Sequence, residues 1–179
     1  MNKMLIPTIT CIISIFVVGF TGIITSLNPT NLIDVSFNEL TYNSQKEVRC
    51  LAQNIYFESA YEPDQGQLAI AFVTLNRTKH VSFPNSICEV VTQKTKNTCQ
   101  FSWFCQDKER KSFLSNNVPN NQQTYNKILQ LATFTYINYD KIIDPTNGAI
   151  FYHADYVNPH WKNVTPIRTI GRHIFYIES

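Results

Sequence analysis

The sequence predicts an α+β fold, a helix-dominated single domain with a small antiparallel β element near the C-terminus. Three observations predict it. Apolar residues recur at helical spacing before residue 140, as Val48-Leu51-Ala52-Ile55, Leu68–Leu75 and Tyr125-Ile128-Leu129-Ala132. Two short β-rich runs, Ala149–His153 and His173–Ile177, follow the turn signal Asp144-Pro145-Thr146-Asn147-Gly148. A hydrophobic fraction of 44% beside 16% charged residues supplies a core and excludes a disordered chain.

The chain opens with a segment outside that fold. No charged residue occurs from Met4 to Ile33, and residues 5–27 are apolar enough to span a bilayer. Lys3 and the amino terminus precede this run, while Asp34 and Glu39 follow it. The asymmetry puts residues 1–4 in the cytoplasm and the remainder on the extracytoplasmic side of a single-pass signal-anchor in the cytoplasmic membrane. A cleaved signal peptide is the alternative, and Thr21-Gly22-Ile23-Ile24-Thr25 lacks the small-residue pattern that cleavage needs. Thr8, Thr10, Ser14 and Thr21 dilute the span, so later release or secretion also stays open. Residues 28–43 have no clear period and read as a linker, leaving 44–179 as the domain.

Ser44 and Glu47 stand at capping-box spacing and predict a first helix over about 44–60. Pro63 suits the first turn of a second helix. Its continuation, Leu68–Leu75, is apolar nearly all round apart from Thr74, as a buried central helix would be. Ser82-Phe83-Pro84-Asn85 is a turn into a short helix with Ile87, Val90 and Val91 inward. Cys99, Phe101 and Trp103 alternate with Gln100, Ser102 and Phe104, the pattern of a short strand or extended loop. Residues 107–111 are charged and read as exposed. A helix over 121–138 follows, then the two strands with an irregular stretch around Trp161 between them.

Cys50, Cys88, Cys99 and Cys105 lie in the exported part, with Cys11 in the span. An even number in an oxidising compartment predicts one or two disulfides, with three connectivities open. Paired C-x₂-C repeats are missing, which counts against a zinc ribbon. His80, His153, His160 and His173 form no H-E-x-x-H or similar spacing, so no metal and no cofactor are expected. A net charge of +2 with pI about 8.2 gives no reason to expect a nucleic-acid partner.

Glu58 is the strongest candidate for chemistry. It falls on the flank of the first helix's apolar stripe, preceded by Tyr56 and Phe57 and followed by Tyr61. A carboxyl among such groups is desolvated, which favours its neutral form and suits it to protonate a leaving oxygen. Glu47 is absorbed by the capping box, Glu62 by the start of the second helix, and Asp144 by its turn. Trp103, Tyr152, Trp161 and Tyr176 read as core residues or as faces on which sugar rings stack.

Taken in order, several blocks resemble the cell-wall hydrolases of the spore-cortex-lytic SleB/CwlJ type. They are Leu51-Ala52-x-x-Ile55-Tyr56-x-Glu58-Ser59-x-x-Glu62-Pro63, then Gly66-Gln67-x-Ala69-Ile70-Ala71-x-Val73-x-Leu75-Asn76-Arg77, and Cys99-Gln100-Phe101-Ser102-Trp103. The late blocks are Asp144-Pro145-Thr146-x-Gly148-Ala149 with Tyr152-His153, Trp161, and Ile170-Gly171-x-His173-x-Phe175-Tyr176. The resemblance spans residues 48–177. It implies a lysozyme-like fold, peptidoglycan as partner, and cleavage between N-acetylmuramic acid and N-acetylglucosamine in the manner of lytic transglycosylases. It implies Glu58 as acid/base, and substrate contacts from Gln100, Ser102, Trp103, Tyr152, His153, Trp161 and His173. Ser59-Ala60-Tyr61 departs from the small or basic residues more usual in the family, which puts the contacts beside Glu58 in doubt. An amidase acting on the stem peptide and a non-catalytic wall-binding module are the competing readings.

The full-length chain is expected to sediment with membranes until its N-terminal segment is removed or released. Fractionation that finds it wholly soluble at its original mass would count against the anchor.

Overall fold

The structure, a computed structural model, describes residues 32–96, 98–106 and 122–179. The N-terminus and span assigned to residues 1–4 and 5–27, and the charged run 107–111, lie outside the described residues. Among the described residues, no helix is long and apolar enough to cross a membrane. The elements are α1 (Tyr42–Ser59), α2 (Asp64–Lys79), α3 (Ile87–Thr92), α4 (Ser102–Cys105), α5 (Gln122–Asn138), β1 (Phe151–Ala154), β2 (Val164–Ile170) and β3 (His173–Glu178).

Helix α1 begins before the predicted start. Thr41 is its N-cap, and the Thr41 hydroxyl accepts from the Ser44 amide at 3.3 Å. Ser44 therefore lies inside the first turn, and no capping box forms between Ser44 and Glu47. The Glu47 carboxylate serves another helix: its Oε2 accepts from the amides of Ile87 at 2.6 Å and Cys88 at 3.1 Å. Those amides open α3, where they lack intrahelical acceptors and favour a negative charge. The Cys50–Cys88 disulfide joins the same two helices.

From Leu32 on, the stretch read as linker is tied to the domain. Asn138, buried at the end of α5, accepts from the Ile33 amide at 2.7 Å and donates to its carbonyl at 2.9 Å. A 3-10 turn, Phe37–Glu39, then brings Phe37 under the Arg49 guanidinium, 4.6 Å from the ring centre.

Helix α2 is the buried centre that its composition predicts. Ala69, Ile70, Ala71, Phe72 and Val73 are all 1% exposed or less. It packs against α1, α3 and α5. Burying a large aliphatic or aromatic side chain contributes roughly 1.5–3 kcal/mol, so this run anchors the core.

The segment around Trp103 is not a strand. Cys99 forms an isolated bridge with Lys94, and the chain then coils into the single turn of α4. The Cys99–Cys105 disulfide explains why. Six extended residues would separate its ends by roughly 20 Å, whereas the two Cα atoms are 5.9 Å apart.

The C-terminal element has three antiparallel strands in the order β1-β3-β2, with β3 central. Both predicted strands are present; β2 is the one the sequence hid. Its burial does not alternate, Pro166 lacks an amide to donate, and the register slips between Pro166 and Arg168. These are properties of an edge strand, and they erase the period-two signal.

Replacing Cys50 and Cys88 together by Ala should lower unfolding free energy by about 2–4 kcal/mol. Urea denaturation of the domain measures it, and an unchanged midpoint would show that the cross-link adds nothing.

Candidate active site

Glu58 and the seven residues expected to contact substrate line one cleft of about 570 Å³, whereas Tyr176, the other candidate stacking face, is not among its lining residues. Glu58 comes from the last turn of α1, and Gln100, Ser102 and Trp103 from the loop carrying α4. Tyr152 and His153 come from β1, Trp161 from the loop beyond it, and His173 from the first position of β3.

The floor is built around Asn54, fully buried one helical turn before Glu58. Its Nδ2 donates to Thr74 Oγ1 at 3.0 Å, and its Oδ1 accepts from Trp103 Nε1 at 3.0 Å. The Thr74 hydroxyl in turn donates to the Ile70 carbonyl at 2.9 Å. One amide thus joins α1, α2 and the α4 loop, and residues four apart share a helix face. Trp103 also stacks on Phe57, with ring centres 4.5 Å apart. At 5% exposure, Trp103 shapes the floor far more than it offers a stacking face.

Glu58 sits above this floor. The Tyr152 hydroxyl donates to Glu58 Oε2 at 3.1 Å. Burial pushes the Glu58 carboxyl pKa up, against the opposing pull of the Tyr152 hydrogen bond and the charge of Arg77. The Tyr152 phenol is held well above its ordinary range, chiefly by burial and the nearby carboxylate, so it remains a donor. Burial moves His173 the other way, lowering its pKa and favouring the neutral ring. That ring stands edge-on to Tyr152 at 5.4 Å. Among the described lining residues, Glu58 is the only carboxylate.

The remaining predicted residues divide by what they touch. His153 is committed within the protein: Nδ1 lies 2.8 Å from the Ala154 carbonyl and Nε2 lies 2.7 Å from the Tyr176 hydroxyl. Its ring stacks on Tyr176 at 5.2 Å. Trp161 packs edge-on against His153 and Tyr176, yet 43% of it stays exposed at the rim. Gln100 and Ser102 are exposed on the opposite wall. Direct contact with a ligand is therefore open to Gln100, Ser102 and Trp161, while Trp103, His153 and His173 shape and support the walls.

Two side chains have roles that sequence reasoning did not assign. Arg77 lines the cleft although it is 3% exposed, and its Nε donates to the Ile150 carbonyl at 2.7 Å. A charged residue two positions past Leu75, on a helix buried all round, is the signal that could have found it. Glu62 does not serve the start of α2 with its carboxylate. Its Oε2 accepts from the Arg172 amide at 3.2 Å, in the turn between β2 and β3. Gly171 has φ +56 there, and a Cβ at that position would collide with Glu62 Oε2. The tie orients β3 and, through its pairing, β1. Among the described residues, no group of three or more His, Cys, Asp or Glu side chains could hold a metal ion.

The pattern of the cell wall hydrolase family matches residues 61–176. This chain belongs to that family. Relatives include the spore cortex-lytic enzyme of Bacillus cereus, 31% identical over 134 residues that make up 74% of this chain and 44% of the relative. That of Bacillus subtilis (strain 168) is 30% identical over 134 residues, 74% of this chain and 38% of the relative. The chain thus spans less than half the length of these curated relatives. Among solved structures, it resembles the catalytic domain of the germination-specific lytic transglycosylase SleB from Bacillus anthracis, with TM-score 0.52 and 28% identity. The likeness covers 77% of this chain and 97% of that domain. The Bacillus cereus SleB catalytic domain matches with TM-score 0.51 and 28% identity, over 73% of this chain and 89% of that one. The helix-dominated, lysozyme-like α+β fold expected from the sequence is the fold of this cell wall hydrolase. Glu58 lies just upstream of the family match, so its role rests on its surroundings in the cleft.

Those surroundings make a stability prediction. Glu58 holds its proton to higher pH in the folded state than in the unfolded one. Its contribution is therefore fully present below the unfolded pKa and is lost as pH rises through the raised folded pKa. Glu58→Gln has no such loss. Its melting temperature relative to wild type should rise between acid pH, below the ordinary glutamate range, and mildly alkaline pH. A pH-independent difference would mean that the carboxyl is not desolvated.

Proposed function

We propose that this cell wall hydrolase is a lytic transglycosylase that cleaves peptidoglycan between N-acetylmuramic acid and N-acetylglucosamine, with Glu58 as its single acid/base. The observation that carries this is one half-buried carboxyl, raised in pKa and bonded by Tyr152, in a cleft whose described lining holds no second carboxylate. Enzymes that activate water for glycoside cleavage use two carboxylates at a defined separation. A single one suffices when the substrate supplies its own nucleophile. Similarity to the catalytic domain of the Bacillus anthracis germination-specific lytic transglycosylase favours the same reading.

In the first half, Glu58 gives its proton to the glycosidic oxygen as the bond from that oxygen to C1 of the muramic acid breaks. The Glu58 carboxylate left behind, still bonded by Tyr152, then takes the proton from the C6 hydroxyl of the same sugar. That oxygen bonds to C1, leaving a 1,6-anhydro end and a reprotonated Glu58. No water is consumed. Gln100, Ser102 and Trp161 contact the glycan in this reading, and stem peptides leave the cleft unreacted.

The reaction belongs on the extracytoplasmic side of the cytoplasmic membrane, with residues 5–27 as a single-pass anchor or a source of later release. The pairing of Cys50 with Cys88 and of Cys99 with Cys105 supports an oxidising location.

Glu58→Gln should lower glycan cleavage roughly 10²–10⁴-fold while leaving the fold intact. The assay is turbidity loss on purified peptidoglycan, with mass analysis of the released muropeptides. Anhydro ends that persist in chelator are the expected products. Reducing ends would replace the transglycosylase step by hydrolysis. Free stem peptides, or silencing by chelator, would move a metal-dependent amidase ahead.

A further inference from the structure

Arg77 is a buried cation whose hydrogen bonding is incomplete. Its Nε is spent on the Ile150 carbonyl, at the residue before β1, while Nη1 is buried and has no partner. The guanidinium is clamped over two rings, 5.0 Å from the centre of Phe83 and 5.1 Å from that of Phe101. A buried donor left unpaired is destabilising, and more so when it is charged. The helix pattern of α2 gives no reason for a cation here, since an aliphatic residue would satisfy it. What the position offers is the neighbourhood of the Glu58–Tyr152 hydrogen bond, on the same cleft.

We propose that Arg77 is a positioning residue that holds a buried positive charge in reserve for the ionised form of Glu58. The inference rests on the acid/base reading of Glu58. While Glu58 keeps its proton, the carboxyl is neutral and Arg77 has no anion to answer. Once the proton has left with the departing sugar oxygen, the cleft holds a desolvated carboxylate. A cation fixed by two rings and a backbone carbonyl stabilises that state without having to reorganise. Burial alone would favour a permanently protonated Glu58, a good acid and a poor base. The reserved charge brings the two protonation states closer in energy, which a group serving in both halves of one reaction requires.

The electrostatics point the same way. Arg77 lowers the pKa of Glu58, and Glu58 in turn supports the charge on Arg77, whose own pKa burial brings down to about 10. Other titratable groups around Glu58 are Tyr152 and His153 from β1, His173 from β3 and Tyr156 from the loop. Behind His173 stand Glu62, Asp155 and Arg172. The wall formed by Gln100, Ser102 and Gln106 brings no charge.

The test reads Glu58 and Arg77 by NMR in the folded exported domain and needs no activity. In the unmutated protein, the guanidinium resonances of Arg77 should shift with the same midpoint as the Glu58 side-chain carboxyl, and Glu58→Gln should remove that step. Arg77→Met should raise the Glu58 midpoint by about one pH unit, a tenfold change in proton affinity. Arg77→Lys, which keeps the charge, should restore most of it. The alkaline limb of glycan cleavage should move up in Arg77→Met while the maximal rate falls. A merely structural Arg77 would lower the melting temperature of both variants and leave the Glu58 midpoint in place, which overturns the proposal. An Arg77 resonance that ignores Glu58, or follows another group after Glu58→Gln, overturns it even if Arg77→Met fails to fold. If Glu58→Gln still cleaves glycan while Arg77 tracks Glu58, the acid/base reading fails and the coupling stands.

Discussion

The buried amide of Asn54 is the contact on which the rest of the cleft depends. From α1 it bonds α2, through Thr74, and the α4 loop, through Trp103. Apolar burial sets the register of packed helices less sharply than a hydrogen bond does, because the hydrophobic effect is non-directional. A fully buried amide with both of its ends engaged resists sliding, since a slide would strand a donor or an acceptor at about 1–3 kcal/mol. Glu58 stands one turn along the same helix, so the orientation of Asn54 sets that of the carboxyl.

Two opposed tendencies act on that carboxyl. Burial favours the neutral acid, while the Tyr152 hydroxyl and the Arg77 charge favour the anion. Neither partner is near Glu58 in sequence. Tyr152 comes from the sheet, Arg77 from the central helix, and each is fixed by contacts of its own. Arg77 is held by the Ile150 carbonyl, and that carbonyl immediately precedes the strand that carries Tyr152. The bond therefore ties the position of the cation to that of the phenol, and a shift of β1 would move both together.

The same economy governs the ends of the elements. Glu47 and Glu62 both look like local helix-start residues, and both carboxylates act at a distance. Glu47 caps α3 across 40 residues, and Glu62 holds the β2–β3 turn across 110. Each satisfies backbone amides that its neighbours in sequence could not reach. Glycine at 171 lets the turn approach Glu62 closely, which holds the start of β3, at His173, beside the turn between α1 and α2.

By itself the sequence determined helices α1, α2, α3 and α5, strands β1 and β3, the turn at Asp144–Gly148, the even set of cysteines at 50, 88, 99 and 105, and Glu58 as a carboxyl among aromatic rings. These follow from spacing within a few residues, where period and turn chemistry act directly on the chain. The family blocks added Gln100, Ser102, Trp103, Tyr152, His153, Trp161 and His173 as one group, and the fold brings them to one cleft. Only the tertiary structure decided which cysteines pair, that the run around Trp103 coils instead of extending, and that β2 exists on the sheet edge. It alone decided that Arg77 lines the same cleft as Glu58, that Glu47 serves the start of α3 and that Glu62 serves the β2–β3 turn. Each of these depends on a partner tens of residues away, and a buried charge or carboxylate takes its meaning from the group that folding sets beside it.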